Sequence, residues 1–207
     1  MGRTICTGFG CWGGASAMMD LFTGTLVSLA AVNPDETSKS AAIWGRDSEY
    51  RRLMDSDPPR LFSVKASREW MEKQLEEEPD TFWFAVRTLE DDRLLGEIDL
   101  VVTSWGSRDA FVGIGIGERE FWGKGYGTEA MNLTLRYAFI ELNLRRVTLN
   151  VFEFNERALR SYEKVGFHME GRQRQAIIRE GRRWDVLYMG ILREEWIETH
   201  GNDFYAG

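Results

Sequence analysis

Three glycines spaced two apart, Gly123, Gly125 and Gly127, stand between an apolar run at residues 110–117 and an amphipathic stretch at 128–142. Glycine lets a backbone reach positive φ and come close to a ligand. Amide N–H groups at the start of a helix then face outward, and the helix dipole favours negative charge there. Strand, glycine-rich loop and helix in that order describe a cradle for a pyrophosphate, with a plain glycine-rich turn as the alternative. Two common phosphate loops do not fit. A nucleoside triphosphate loop needs four residues between its glycines and a hydroxyl after its lysine. Here five residues separate Gly117 from Gly123, and Gly125 follows Lys124. A dinucleotide fingerprint needs Gly-x-Gly-x-x-Gly in a βαβ unit, whereas the strands before this loop read as an antiparallel meander.

The elements that must position this loop follow from periodicity and capping. Residues 25–32 are apolar and β-like, and Asn33-Pro34-Asp35-Glu36 opens a helix running to about residue 46. Residues 48–60 read as a polar connector stopped by Pro58-Pro59. Residues 65–77 are helical, with Trp70, Met71 and Leu75 as the apolar stripe. Residues 81–88 and 94–105 form a hairpin, and residues 110–118 add a third strand. The helix at 128–142 carries Met131, Leu135, Ala138, Phe139 and Leu142 on one face. A buried strand at 146–152 precedes a short helix at 155–165, with Asn155 as N-cap and Gly166 just past its end. Two strands, 168–178 and 184–192, meet at Glu180-Gly181, and a polar, aromatic-tipped tail occupies 194–205. The order predicts an α+β (mixed α/β) fold, a central, mostly antiparallel sheet flanked by helices.

Bulk properties narrow the function classes. The 207 residues suit one domain, and a composition 43% hydrophobic and 29% charged is that of a globular chain. A net charge of −7 argues against a general nucleic-acid binder. The only cysteines, Cys6 and Cys11, lie near the N-terminus, and the only histidines, His168 and His200, are far apart. No disulfide framework, metal site or cysteine nucleophile is expected. No apolar run reaches the roughly 18 residues that span a membrane, so the cytoplasm is the expected location. Residues 1–18 hold five glycines and both cysteines, without periodicity or the apolar stretch of a signal peptide. They are expected to be a disordered leader or a start upstream of the native one, with residues 19–207 forming a single domain.

The remaining common user of such a loop is an acyl-coenzyme A enzyme. Four segments, in order, carry a resemblance to one superfamily: Gly113-Ile114-Gly115-Ile116-Gly117, Glu120-Phe121-Trp122-Gly123-Lys124-Gly125-Tyr126-Gly127-Thr128-Glu129-Ala130, Asn155-Glu156-Arg157-Ala158 and Ser161-Tyr162-Glu163-Lys164-Val165-Gly166-Phe167. Together they resemble the GNAT superfamily of N-acetyltransferases, in particular its RimJ/RimL-type branch of ribosomal-protein N-terminal and spermidine acetyltransferases. The resemblance spans residues 21–196. It implies a sheet that splays between its fourth and fifth strands, where acetyl-coenzyme A inserts. The family's loop begins with Arg or Gln. Trp122 stands there instead, which removes a polar side chain and leaves the cradle to the backbone amides of Gly123, Lys124, Gly125, Tyr126, Gly127 and Thr128. No metal is implied, and homodimers are common in the family.

The implied reaction is direct attack of a primary amine on the thioester. An alkylammonium has a pKa of about 10, so a base or a low-dielectric pocket must neutralise it. The resemblance assigns the oxyanion donor to a backbone N–H of the fourth strand, near Ile114, Gly115 and Ile116. It assigns the proton donor for the departing thiolate to Tyr162, seven residues and about two helical turns after Asn155. Asn155 matches a position that contacts the pantetheine arm or an ordered water, besides capping its helix. Many relatives carry an acid at the start of the fourth strand, where this chain has Phe111. Glu97 and Asp99 share one face of the preceding strand. Either can act as the base, directly or through water, and Glu97 is the candidate; the alternative is a pair of solvated carboxylates. Glu118 and Glu120 are read as surface residues. Trp83, Trp105, Trp122 and Trp184 are core residues or the lining of a cationic amine site. The acceptor class stays open between a protein N-terminus and a small amine such as a polyamine. A non-catalytic acyl-coenzyme A sensor on the same fold is the alternative to an enzyme.

Overall fold

The computed structural model describes residues 20–200. The expected leader at 1–18 and the end of the C-terminal tail lie outside the described residues.

One seven-stranded sheet organises the chain. Its strands are β1 (Val27–Ala31), β2 (Thr81–Thr88), β3 (Leu94–Ser104), β4 (Asp109–Ile116), β5 (Arg146–Phe152), β6 (His168–Arg179) and β7 (Arg182–Leu192), in the spatial order β1-β2-β3-β4-β5-β7-β6. Every neighbouring pair is antiparallel except β4 and β5. That parallel pair is joined only at Asp109, Ala110 and Phe111 against Arg146, Val147 and Thr148. Beyond Phe111 the two strands diverge and open a cleft inside the sheet. Here is the splay that the resemblance implies.

The helices are α1 (Pro34–Trp44), α2 (Ser48–Met54), α3 (Val64–Glu77), α4 (Tyr126–Arg136), α5 (Glu156–Val165) and α6 (Arg193–His200). Helix α4 buries Ala130, Met131, Leu133 and Leu135 against the sheet and runs on into a π-helical turn at Tyr137–Glu141. The main core joins these residues to Leu95, Ile98, Leu100, Val147, Leu149, Phe167 and Ile191. Helix α5 has the caps its sequence calls for. Asn155 accepts from the Ala158 amide at 3.2 Å, and Gly166 closes the helix at φ +105°.

A carboxylate clamp joins the start of β1 and the residues before it to the helix after the glycine loop. Glu129, in the first turn of α4, accepts the backbone N–H groups of Thr25, Leu26 and Val27 at 2.7–2.8 Å and the Thr25 hydroxyl at 2.6 Å. Hydrogen bonds to an ionised acceptor are the stronger kind.

Three expectations need correction. The stretch at 48–60 is not all connector: Asp47 caps α2 by accepting from the Glu49 and Tyr50 amides. On α3 only Met71 is buried, at 2% exposure, whereas Trp70 is 55% and Leu75 47% exposed. The tail is helical at its start, because Trp196 drops into the core beside Phe139.

Candidate active site

The loop after β4 opens with a 3-10 turn, Arg119–Phe121, and then passes through Gly123 at φ +71° and Gly125 at φ +94°. Gly125 is the N-cap of α4 and makes no side-chain cap. The amides of that first turn are therefore left to the cleft, as an anion cradle requires. Thr128 Oγ1 and Ser161 Oγ lie 2.7 Å apart and tie α4 to α5. Trp122 does not hang free in place of the family's polar residue. Its Nε1 donates to the Ile116 carbonyl at 2.6 Å and fastens the loop to the end of β4.

The cleft is the mouth of a cavity of about 760 Å³. One wall holds Gly123, Gly125, Gly127, Thr128, Asn155 and Tyr162, while Ile114, Gly115 and Ile116 line the open strand β4. Lys124 and Tyr126 do not line the cavity, and Tyr126 packs edge-on against Phe121 at 4.9 Å. Those two can serve the cradle only through their backbone.

The far wall is made of side chains from distant segments: Tyr50 and Met54 of α2, Trp70 and Gln74 of α3, and Trp83 and Phe111 of the sheet. Trp70 and Trp83 meet edge to face at 5.5 Å. Helix α2 closes down on β4 because Gly115 has no Cβ; a methyl there would lie 2.7 Å from Met54 Cε and 2.8 Å from the Tyr50 hydroxyl. The β6–β7 tip holds α2 from outside. Arg179 donates to the carbonyls of Asp55, Ser56 and Asp57 at 2.7–3.1 Å, and Arg52 pairs with Glu180 at 2.8 Å.

Glu97 and Asp99 both line this cavity, side by side on β3. Glu97 Oε1 is buried without a hydrogen-bond partner among the described residues. Burial, then the neighbouring Asp99 charge, raises the Glu97 carboxyl to about 7, and burial raises Asp99 to about 6. Tyr50 is pushed up too, by burial and by the charge of Glu97. Burial lifts the Tyr162 phenol to about 12. Two carboxylates held in reserve and one phenol held protonated thus share one cavity with an anion cradle. That set can take a proton from an amine, donate a hydrogen bond to a leaving group, and hold a phosphorylated carrier.

Residues 28–168 match the family model of the acetyltransferase (GNAT) domain. The chain belongs to the GNAT acetyltransferase family. Its activity is acetyl transfer from acetyl-coenzyme A to an amine. Among relatives of this GNAT chain, the SPbeta prophage-derived uncharacterized N-acetyltransferase YokL of Bacillus subtilis is 32% identical over 182 residues, 87% of this chain and 97% of the relative. The putative ribosomal N-acetyltransferase YdaF of the same organism is 36% identical over 108 residues, 52% and 58% of the two chains. The spermidine N-acetyltransferase of Vibrio cholerae, solved in complex with CoA and spermine, superposes with a TM-score of 0.74 at 25% identity, covering 84% of this chain and 99% of that one.

Some expectations for this GNAT site do not hold. Glu118 is no bystander: it accepts the Trp44 Nε1–H at 2.8 Å and pairs with Arg93. Trp105 is half exposed on a turn, and Trp184 packs with Phe154 in a satellite cluster, so neither lines the cavity. Tyr50, Trp70 and Arg157 are cavity residues that sequence reasoning passed over. For Tyr50 the signal was an Asp47 N-cap with Glu49 in the first turn. For Arg157 it was a place inside a quoted segment. Among the described residues no cluster of three or more His, Cys, Asp or Glu could hold a metal, and no helix is long and apolar enough to cross a membrane.

Proposed function

We propose that the chain acetylates a primary amine carried on a small cationic molecule, by direct attack on the thioester, with Glu97 as the base and Tyr162 as the donor to the leaving sulfur. The buried Glu97 Oε1, without a hydrogen-bond partner among the described residues and in the same cavity as the glycine loop, carries this reading. Acetyl-coenzyme A supplies an activated acyl carbonyl; the backbone from Gly123 to Thr128 cradles its pyrophosphate, and Asn155 borders the path of its pantetheine arm. The unpaired edge of β4 near Ile114, Gly115 and Ile116 offers N–H groups to the developing oxyanion.

The acidities support these roles. An alkylammonium of pKa about 10 gives its proton to a carboxylate whose acid has a pKa of about 7 at an uphill cost of roughly 4 kcal/mol. An ordinary carboxylate would face a gap nearly twice that size. Tyr162 near 12 stays protonated, so it hydrogen-bonds to the leaving sulfur, while full transfer to a thiolate of pKa about 8.5 is unfavourable. The far wall favours a cation. Trp70 and Trp83 line it with indole rings that can bind a cation, and Glu97, Asp99 and Glu78 supply negative charge. The spermine held by the Vibrio cholerae relative is a molecule of that kind. A protein N-terminus, as the name of YdaF suggests, is the competing acceptor.

The test is acceptor-dependent thiol release from acetyl-coenzyme A, comparing polyamines with peptides bearing free N-termini. Turnover with polyamines is expected, with Tyr162→Phe losing about 10–100-fold in kcat and keeping its affinity for acetyl-coenzyme A. Turnover with peptides alone would overturn the small-amine reading. Coenzyme A binding without turnover on any acceptor would leave the sensor reading standing.

A further inference from the structure

The Trp122 ring lies under two guanidinium groups, Arg119 at 4.8 Å and Arg157 at 3.6 Å from its centroid. The two are not equivalent. Arg119 is neutralised, with its Nη2 donating to Asp47 at 2.8 Å and to Glu49 at 2.6 Å. Arg157 forms no side-chain hydrogen bond and no ion pair among the described residues; Glu49, Arg119 and Tyr162 reach it only at longer range. It is also badly placed for a cation. It sits in the first turn of α5, where the helix dipole is positive. Partial burial further disfavours its charge.

An uncompensated cation facing a cavity is half of an ion pair. Arg157, Ser161 and Lys164 recur one helical turn apart on α5, all line the cavity, and Ser161 bonds directly to Thr128 in the first turn of α4. This stripe runs beside the glycine loop on the same wall of the cavity. Trp122 follows β4 and Arg157 follows β5, so their contact bridges the two diverging strands above the cavity.

We propose that Arg157 is a phosphate-binding residue that closes the cradle from the α5 side. It supplies the cationic group that Trp122 removes from the loop, and Trp122 acts as the flat platform that aims it. Guanidinium suits the task because its planar fork can pair two phosphate oxygens at once. The assignment rests on reading the glycine loop as the pyrophosphate cradle.

The test pairs Arg157→Gln and Arg157→Lys with two acetyl donors, acetyl-coenzyme A and S-acetylpantetheine, which carries the same thioester without phosphates. For Arg157→Gln, kcat/KM with acetyl-coenzyme A should fall about 10–100-fold, through KM, as expected for a charge-assisted hydrogen bond. The coenzyme A Kd measured by calorimetry should rise by the same factor. With S-acetylpantetheine the variant should match the wild type within about twofold, and Arg157→Lys should recover part of the affinity. Equal losses with both donors would overturn the proposal, because Arg157 would then serve the thioester end or the fold. An unchanged Kd beside normal wild-type binding would overturn it alone. Absence of wild-type binding to coenzyme A would overturn the cradle as well.

Discussion

The two walls of the cavity are built on different principles. The wall proposed to hold the cofactor is one local stretch, residues 113–130, extended by α5, and its groups are mostly backbone N–H at two positive-φ glycines and a helix start. The wall proposed to take the acceptor is assembled from α2, α3, β2 and β3, segments as far apart as Tyr50 and Asp99, and its groups are side chains. Backbone groups are the same whatever residues carry them, so the first wall suits a constant ligand. Side chains can change one at a time, so the second suits a variable one. On the proposed reading, cofactor binding and the choice of acceptor are physically separable, and they meet at Glu97 and Tyr162.

If that division is right, the largest loss comes where the walls meet. Glu97→Gln should lower kcat about 100–1,000-fold, the range for a general base. It should also erase the limb of the pH–rate profile at about 7. A surviving limb would move the base to Asp99, whose own value is about 6. The next effect is confined to the cofactor wall. Gly125→Ala forces a side chain into φ +94° and should raise KM for acetyl-coenzyme A about tenfold or more, with KM for the amine unchanged. The mirror experiment, Trp83→Ala, should raise KM for a polyamine about 5–30-fold and leave the cofactor KM alone. Crossed effects in either variant would break the division. The smallest effect is on stability. Glu97 and Asp99 have folded values above their ordinary ones of 4.5 and 3.8. Their contribution is fully present at low pH and is lost as pH rises through about 6 and 7. The unliganded Tm should fall by several degrees across pH 4.5–7.5, at roughly 2–4 °C per kcal/mol for a chain of this size. Glu97→Gln should flatten that decline.

Legibility in the sequence follows the same division. β2 and β5 are found to the residue, since an apolar run between turn residues is a local signal. The α5 caps at Asn155 and Gly166 and the glycine loop are local too. The acceptor wall is hard to read because no local pattern records who meets whom. Trp70 looks like a core residue on a helical wheel, yet it leans on Trp83 across the cavity mouth. Helix α2 is short and polar, and only its seat on Gly115 shows what it is for. The insertion of β7 between β5 and β6 is a long-range pairing that turn signals do not encode.

The Glu129 clamp makes the edge of the sheet a gauge of what happens in the loop. Whatever fills the first turn of α4 steadies the carboxylate that holds the amides of Thr25, Leu26 and Val27. A ligand that binds the folded state stabilises it by mass action. The amide hydrogens of those three residues should then exchange more slowly when coenzyme A is bound. Shortening the chain past Thr25 would register first as weakened coenzyme A binding rather than as loss of the fold.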